Sequence, residues 1–84
     1  MTGKNQVPLT RIQAGQEGII VRIEGGTRLI NRLAALGIRP AKRITKVSSA
    51  IMRGPVTIKV DRTQVAIGFG MASRIMVEPV QAIP

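Results

Sequence analysis

The chain contains neither cysteine nor histidine, and Phe69 is its one aromatic residue. The first absence excludes a disulfide framework and a Cys/His zinc site. The second leaves Ser48, Ser49 and Ser73 without an imidazole base, so general acid–base and nucleophilic catalysis lack their usual agent. Acids are scarce as well. Glu17, Glu24, Asp61 and Glu78 are well separated and oppose thirteen Lys and Arg, for a formal charge of +9. Iron(II) favours His, Cys and clustered carboxylates, and a cationic chain repels it. No tight metal site, no cofactor site and no catalytic residue is expected, and the chain is not read as an enzyme. Long apolar runs are also missing. A stretch such as Ile19 to Val21 is far short of a bilayer span, and Met1-Thr2-Gly3-Lys4 leads into no signal-peptide core. The expectation is a cytoplasmic protein that is not inserted in a membrane.

What is present fits one small domain over residues 1–84. The apolar content of 44%, mostly Ile, Val, Leu and Ala, is enough for a modest core. Residues 1–6 are polar and are expected to be flexible. The charge favours an anionic partner without saying which: nucleic acid, acidic lipid or an acidic protein face.

Periodicity supplies the elements. Val7, Leu9 and Ile12 alternate with Pro8, Thr10 and Arg11. Glu17 to Glu24 alternates with a period of two, placing Ile19, Val21 and Ile23 on one face and Ile20, Arg22 and Glu24 on the other. Residues 27–36, TRLINRLAAL, carry Leu29, Ile30, Leu33 and Leu36 at helical spacing, with Thr27 as the predicted N-cap. Gly37 is the predicted left-handed stop, with Ile38 packing back on Leu33 and Pro40 barring continuation. Arg43 to Ile51 reads as a strand with a bulge, because Ile44 and Val47 do not share a face. Pro55 to Val60 points Val56, Ile58 and Val60 inward, and Asp61-Arg62 reads as a hairpin turn into Thr63–Ile67. Met71 to Arg74 reads as a helical turn, followed by a closing strand with Ile75 and Val77 before Pro79. Five or six short strands and one helix describe a small barrel, whose closure would remove exposed strand edges.

The order of residues carries a family resemblance. Leu9-x-x-Ile12-x-x-Gly15-x-x-Gly18 leads into Val21-x-Ile23-x-Gly25, then Arg32-Leu33-Ala34-Ala35-Leu36-Gly37-Ile38-Arg39-Pro40. Gly54-Pro55-Val56, Ala66-Ile67-Gly68 and Ala72-x-x-Ile75-x-Val77 follow. From about Leu9 to Val77 the chain resembles the FeoA family, small partners of the bacterial ferrous-iron transporter FeoB. The resemblance implies a mainly β, SH3-like barrel with one inserted helix. It implies an accessory protein that binds FeoB, or its G-protein domain, without itself carrying iron chemistry. Two departures stand out: Ala41 replaces the family's glycine after Pro40, and the Asp61-Arg62 turn has no glycine.

Within the helix, Arg28, Asn31 and Arg32 form a basic polar strip beside the apolar stripe. An arginine fork there can grip a partner's carboxylate. Leu29 and Leu36 border the stripe and belong either to the core or to an interface. The partner-binding candidates are therefore Arg28, Leu29, Asn31, Arg32 and Leu36, with the alternative that Arg32 pairs with Glu24. A polyproline groove needs aromatic walls that Phe69 alone cannot build. The rival reading, a nucleic-acid-binding barrel, lacks stacking rings and would be confined to nonspecific phosphate contacts.

Overall fold

The structure, a computed structural model, describes residues 6–48 and 54–80. Six strands make one antiparallel sheet: β1 (Val7–Pro8), β2 (Glu17–Ile23), β3 (Arg43–Ser48), β4 (Val56–Val60), β5 (Thr63–Ile67) and β6 (Ile75–Val80), in the order β1-β6-β2-β3-β4-β5. A 3₁₀ turn, Leu9–Arg11, follows β1, helix α1 (Thr27–Ala34) links β2 to β3, and the short helix α2 (Phe69–Ala72) links β5 to β6. The fold is mainly β and SH3-like. Closure differs from the expectation in one respect. Among the described residues no ladder joins β1 to β5, and the 3₁₀ turn packs on α2 instead. The sheet's two ends therefore meet through turns rather than through strand hydrogen bonds.

The core is aliphatic and draws on nearly every element, from Leu9 through Ile20, Leu33, Ile44 and Ile58 to Val77, all essentially inaccessible. In β4 the alternation works as the pattern dictates, with Val56, Ile58 and Val60 buried. In β2 it does not. The register against β6 slips between Ile20 and Arg22, so Val21 is an inserted residue. Gly18 and Ile20 are buried before the slip, and Ile23 packs on the core after it. Ile19, Val21 and Ile23 therefore do not share a face, because a bulge inverts the period of two. Gly18 is itself buried in the wall. A Cβ there would lie 3.3 Å from Val77 Cβ, tighter than ordinary contact.

The ends of α1 show one match and one difference. Gly37 has φ +85°, its N–H donates to Ala34 O at 2.9 Å, and the Ile38 N–H donates to Leu33 O at 2.9 Å. That is the paired hydrogen bonding of a Schellman stop, with Ile38 buried behind it. Ala35 and Leu36 belong to this closing turn rather than to the regular helix. At the other end the N-cap is Gly26, not Thr27, and no side chain caps the helix. Gly26 is extended at φ −81° and ψ 174°, and its carbonyl already accepts the Ile30 N–H at 3.1 Å. Thr27 is thereby inside the first turn, where its hydroxyl cannot serve as a cap.

β3 carries the expected bulge, between Lys46 and Ser48. Ile44 is buried and Val47 exposed, so they do not share a face. Residues 49–51, also assigned to this strand from the sequence, lie outside the described residues, as do residues 1–5 of the expected flexible start. The hairpin at Asp61-Arg62 is a two-residue loop between paired Val60 and Thr63, with Asp61 in the left-handed region at φ 57°. α2 begins two residues earlier than the sequence suggests, because Gly68 is extended and its carbonyl accepts the Ala72 N–H. β6 runs through Pro79, opposite Gly18 and beyond the two residue pairs with β1.

One buried residue escapes the pattern. Lys46 follows Ile44 by two on the inward face of β3 and is 1% accessible. Its Nζ donates to the carbonyls of Leu9 and Thr10, each at 3.2 Å, and of Ile12 at 2.7 Å. An ammonium has three donors, and here each finds an acceptor in or just after the 3₁₀ turn. The lysine thus ties β3 to the N-terminal segment. Burial without an acidic partner lowers its pKa from the ordinary value.

Candidate functional site

α1 presents one side to the core and the other to solvent. Leu33 is buried, and Leu29 is half-buried against the core. Gly25 makes room for Leu29, since a Cβ at Gly25 would lie 2.5 Å from Leu29 Cδ2. Leu29 therefore belongs chiefly to the packed side of the helix. The stripe predicted from spacing is only half used for packing: Ile30 is 37% accessible and Leu36 is 44%. Arg28, Asn31 and Arg32 are exposed. Arg28, Arg32 and Leu36 follow one another at four-residue intervals, so they lie in one row along the helix and its closing turn.

The electrostatics of this row are unfavourable in isolation. Two arginines one turn apart repel, and Arg28 sits in the first turn, where the helix dipole favours an acid. That turn contains no acidic residue. The acids nearby are taken by others. Glu24 accepts from Arg22 Nε at 3.1 Å and Nη2 at 2.8 Å, so the alternative pairing of Glu24 with Arg32 does not form. Asp61 lies 2.9 Å from Lys42 Nζ, and Glu17 lies 2.8 Å from Arg43 Nε. Among the described residues neither Arg28 nor Arg32 has an ion pair. The arrangement is a basic helical face with an aliphatic edge, suited to gripping carboxylates and not to moving protons.

The other candidate chemistries gain no support from geometry. Among the described residues no three acids converge on one point. Ser73 Oγ donates to the Gly70 carbonyl at 2.7 Å, closing α2. Ser48 and Ser73 lie on separate elements, and Ser49 lies outside the described residues.

The model of the FeoA domain matches residues 7–79. The chain belongs to the FeoA domain family. A relative from Methanocaldococcus jannaschii with the provisional name Fe(2+) transport protein A is 34% identical over 71 residues, covering 84% of each chain. A crystal structure described as iron uptake regulatory protein (FeoA) superposes with a TM-score of 0.85 at 36% identity, over 90% of this chain and 100% of that one. A manganese-dependent transcriptional repressor shares the fold alone. It has a TM-score of 0.84 at 20% identity, and the match spans 95% of this chain and 45% of that one. The resemblance calls for glycine after Pro40, and Ala41 adopts φ 74°. The backbone keeps the glycine conformation with an alanine in it.

Proposed function

We propose that this FeoA-domain chain is an accessory protein of ferrous-iron transport. It binds the cytosolic part of a FeoB-type transporter, or its G-protein domain, through α1 and the adjoining turn, and it acts by docking rather than by catalysis or iron carriage. Arg28, Asn31, Arg32 and Leu36 are the contact residues, with Leu29 setting the helix on its support. The observation that carries this reading is the unpaired basic row on α1. Arg28 in the first turn opposes the helix dipole and repels Arg32 one turn on, and among the described residues no acid pairs with either. A partner's carboxylates would. The family and the relatives described above support the iron-transport context, and no helix in the described residues is long and apolar enough to cross a membrane. The working location is the cytoplasm.

The test is Arg28→Glu with Arg32→Glu, followed by co-purification with the transporter from membranes. The variant folds and loses the partner, at a cost of about 2 kcal/mol or more in binding if these residues form a hot spot. A folded variant that captures the transporter at wild-type yield would remove α1 as the docking face.

A further inference from the structure

We infer that the docking face continues beyond α1 onto a ring of arginines at the same end of the fold, and that it takes a carboxylate-rich protein segment with an aliphatic centre. This rests on the reading of α1 above and names the chemistry of its partner. Several contacts bring the ring together. The Ile20 N–H donates to Lys42 O at 2.9 Å and the Ala41 N–H to Ile20 O at 2.7 Å, which sets residues 41–42 level with the middle of β2. The Lys42–Asp61 ion pair of 2.9 Å then brings the β4–β5 turn to that level. The exit of α1 comes down on the same turn, because a Cβ at Gly37 would lie 3.4 Å from Val60 Cγ1. Leu36 and Arg39 flank that glycine, and Arg62 is two residues past Val60. At the helix entrance the Glu24 N–H donates to Arg74 O at 2.7 Å, which places Arg74 beside the start of α1.

Arg28, Arg32, Arg39, Arg62 and Arg74 are all exposed, and among the described residues none has an ion pair. The two acids at this end, Glu24 and Asp61, are held by Arg22 and Lys42. Every unpaired cation in this ring is an arginine. A guanidinium fork matches carboxylate and phosphate alike, whereas lysine offers only a point charge. Two observations select the protein carboxylate. Leu36, 44% accessible, stands one turn after Arg32 and three residues before Arg39, and an aliphatic contact bordered by arginines is the layout of a protein interface. The phosphate alternatives lack their supports. Phe69 is the only ring in the chain for stacking bases, and α1 leaves only Ile30 and Leu36 of its apolar stripe exposed, too little for a helix face laid in lipid.

The experiment compares two charge reversals in the full chain. Arg39→Glu with Arg62→Glu alters the ring and leaves α1 intact. Arg11→Glu with Lys59→Glu makes the same change of charge at exposed positions outside it. Each protein is titrated at about 150 mM salt with a synthetic Glu/Leu peptide, a single-stranded oligonucleotide, and phosphatidylcholine vesicles containing phosphatidylglycerol. The ring variant weakens peptide binding by about tenfold or more while the control pair changes it by less than about threefold. The peptide also shifts the amide resonances of Leu36, Arg39 and Arg62. Equal losses in both variants would reduce the effect to net charge and overturn the inference. So would no peptide binding, or oligonucleotide or vesicle binding that is tighter and depends on the same arginines. Co-purification separates this inference from the reading beneath it. If the ring variant keeps the transporter and Arg28→Glu with Arg32→Glu loses it, the ring falls and α1 stands. If both variants keep it, both fall.

Discussion

Ala41 is the sharpest residue-level departure. Its φ of 74° belongs to the left-handed region, which costs an L-residue about 1–2 kcal/mol, partly offset by the lower entropy of the unfolded alanine chain. Ala41→Gly is expected to stabilise the protein by about 0.5–1 kcal/mol in urea unfolding, and an unchanged or lower midpoint would show that the turn is not strained. Lys46 gives a second test. Lys46→Met strands the carbonyls of Thr10 and Ile12, leaves Leu9 O only its 3.4 Å bond from the Ile12 N–H, and is expected to cost about 2–4 kcal/mol. Because burial lowers the pKa of Lys46 below its ordinary 10.5, the unfolded chain binds this proton more tightly than the native one. Its contribution to stability therefore rises as pH climbs from the folded-state pKa towards 10.5 and is lost as pH falls back through that interval. The difference in stability between wild type and Lys46→Met, followed by denaturation across alkaline pH, should widen with pH; a flat difference would mean that Lys46 is not desolvated. Neither feature was fully legible in the sequence. The missing glycine at 41 was visible, but not its φ. Lys46 sits two residues after Ile44, so period-two counting pointed it inward, yet a charge reads as a solvent position until the turn carbonyls that receive it are known.

At the scale of elements, α1 was the most legible because its signals agree: the apolar spacing, Gly37 and Ile38 each specify the same stop. What spacing did not reveal was how little of the stripe is used. A helix resting on the small end of a β fold buries Leu33 and half of Leu29 and leaves Ile30 and Leu36 outside. The strand β2 was legible in extent but not in facing, since an inserted Val21 leaves composition unchanged and inverts the side chains. For α1 a stability outcome follows from the same double variant that tests docking. Arg28→Glu places an acid in the first turn and, together with Arg32→Glu, removes no ion pair present in the fold. The gain at the first turn is offset by an acid at Arg32 in the last turn, so the variant is expected to melt close to wild type, and a loss of partner then reports the surface and not unfolding. An earlier melt would assign the arginines a structural role instead.

For the whole molecule, a charge of +9 predicts attraction to any polyanion. Binding to RNA or DNA is expected to be electrostatic only, with affinity falling steeply between about 50 and 200 mM salt. Filter binding or fluorescence anisotropy over that range checks it, and tight, sequence-selective binding at the upper end would favour a nucleic-acid function. The topology has a further consequence for the order in which the chain can assemble. β3, β4 and β5 form a meander of neighbours, but Val7 pairs with Val77 and Ile20 with Val77 as well. β6 is the strand that joins β1 to β2, and it is the last of the six to leave the ribosome. Until it emerges, one edge of β2 stays open and β1 has nothing to pair with. The meander can form locally, whereas closure of the sheet waits for contacts that span nearly the whole chain, which is the slow kind of step. A nascent or truncated chain lacking β6 would expose an unpaired, isoleucine-rich edge, the surface on which a small β protein aggregates.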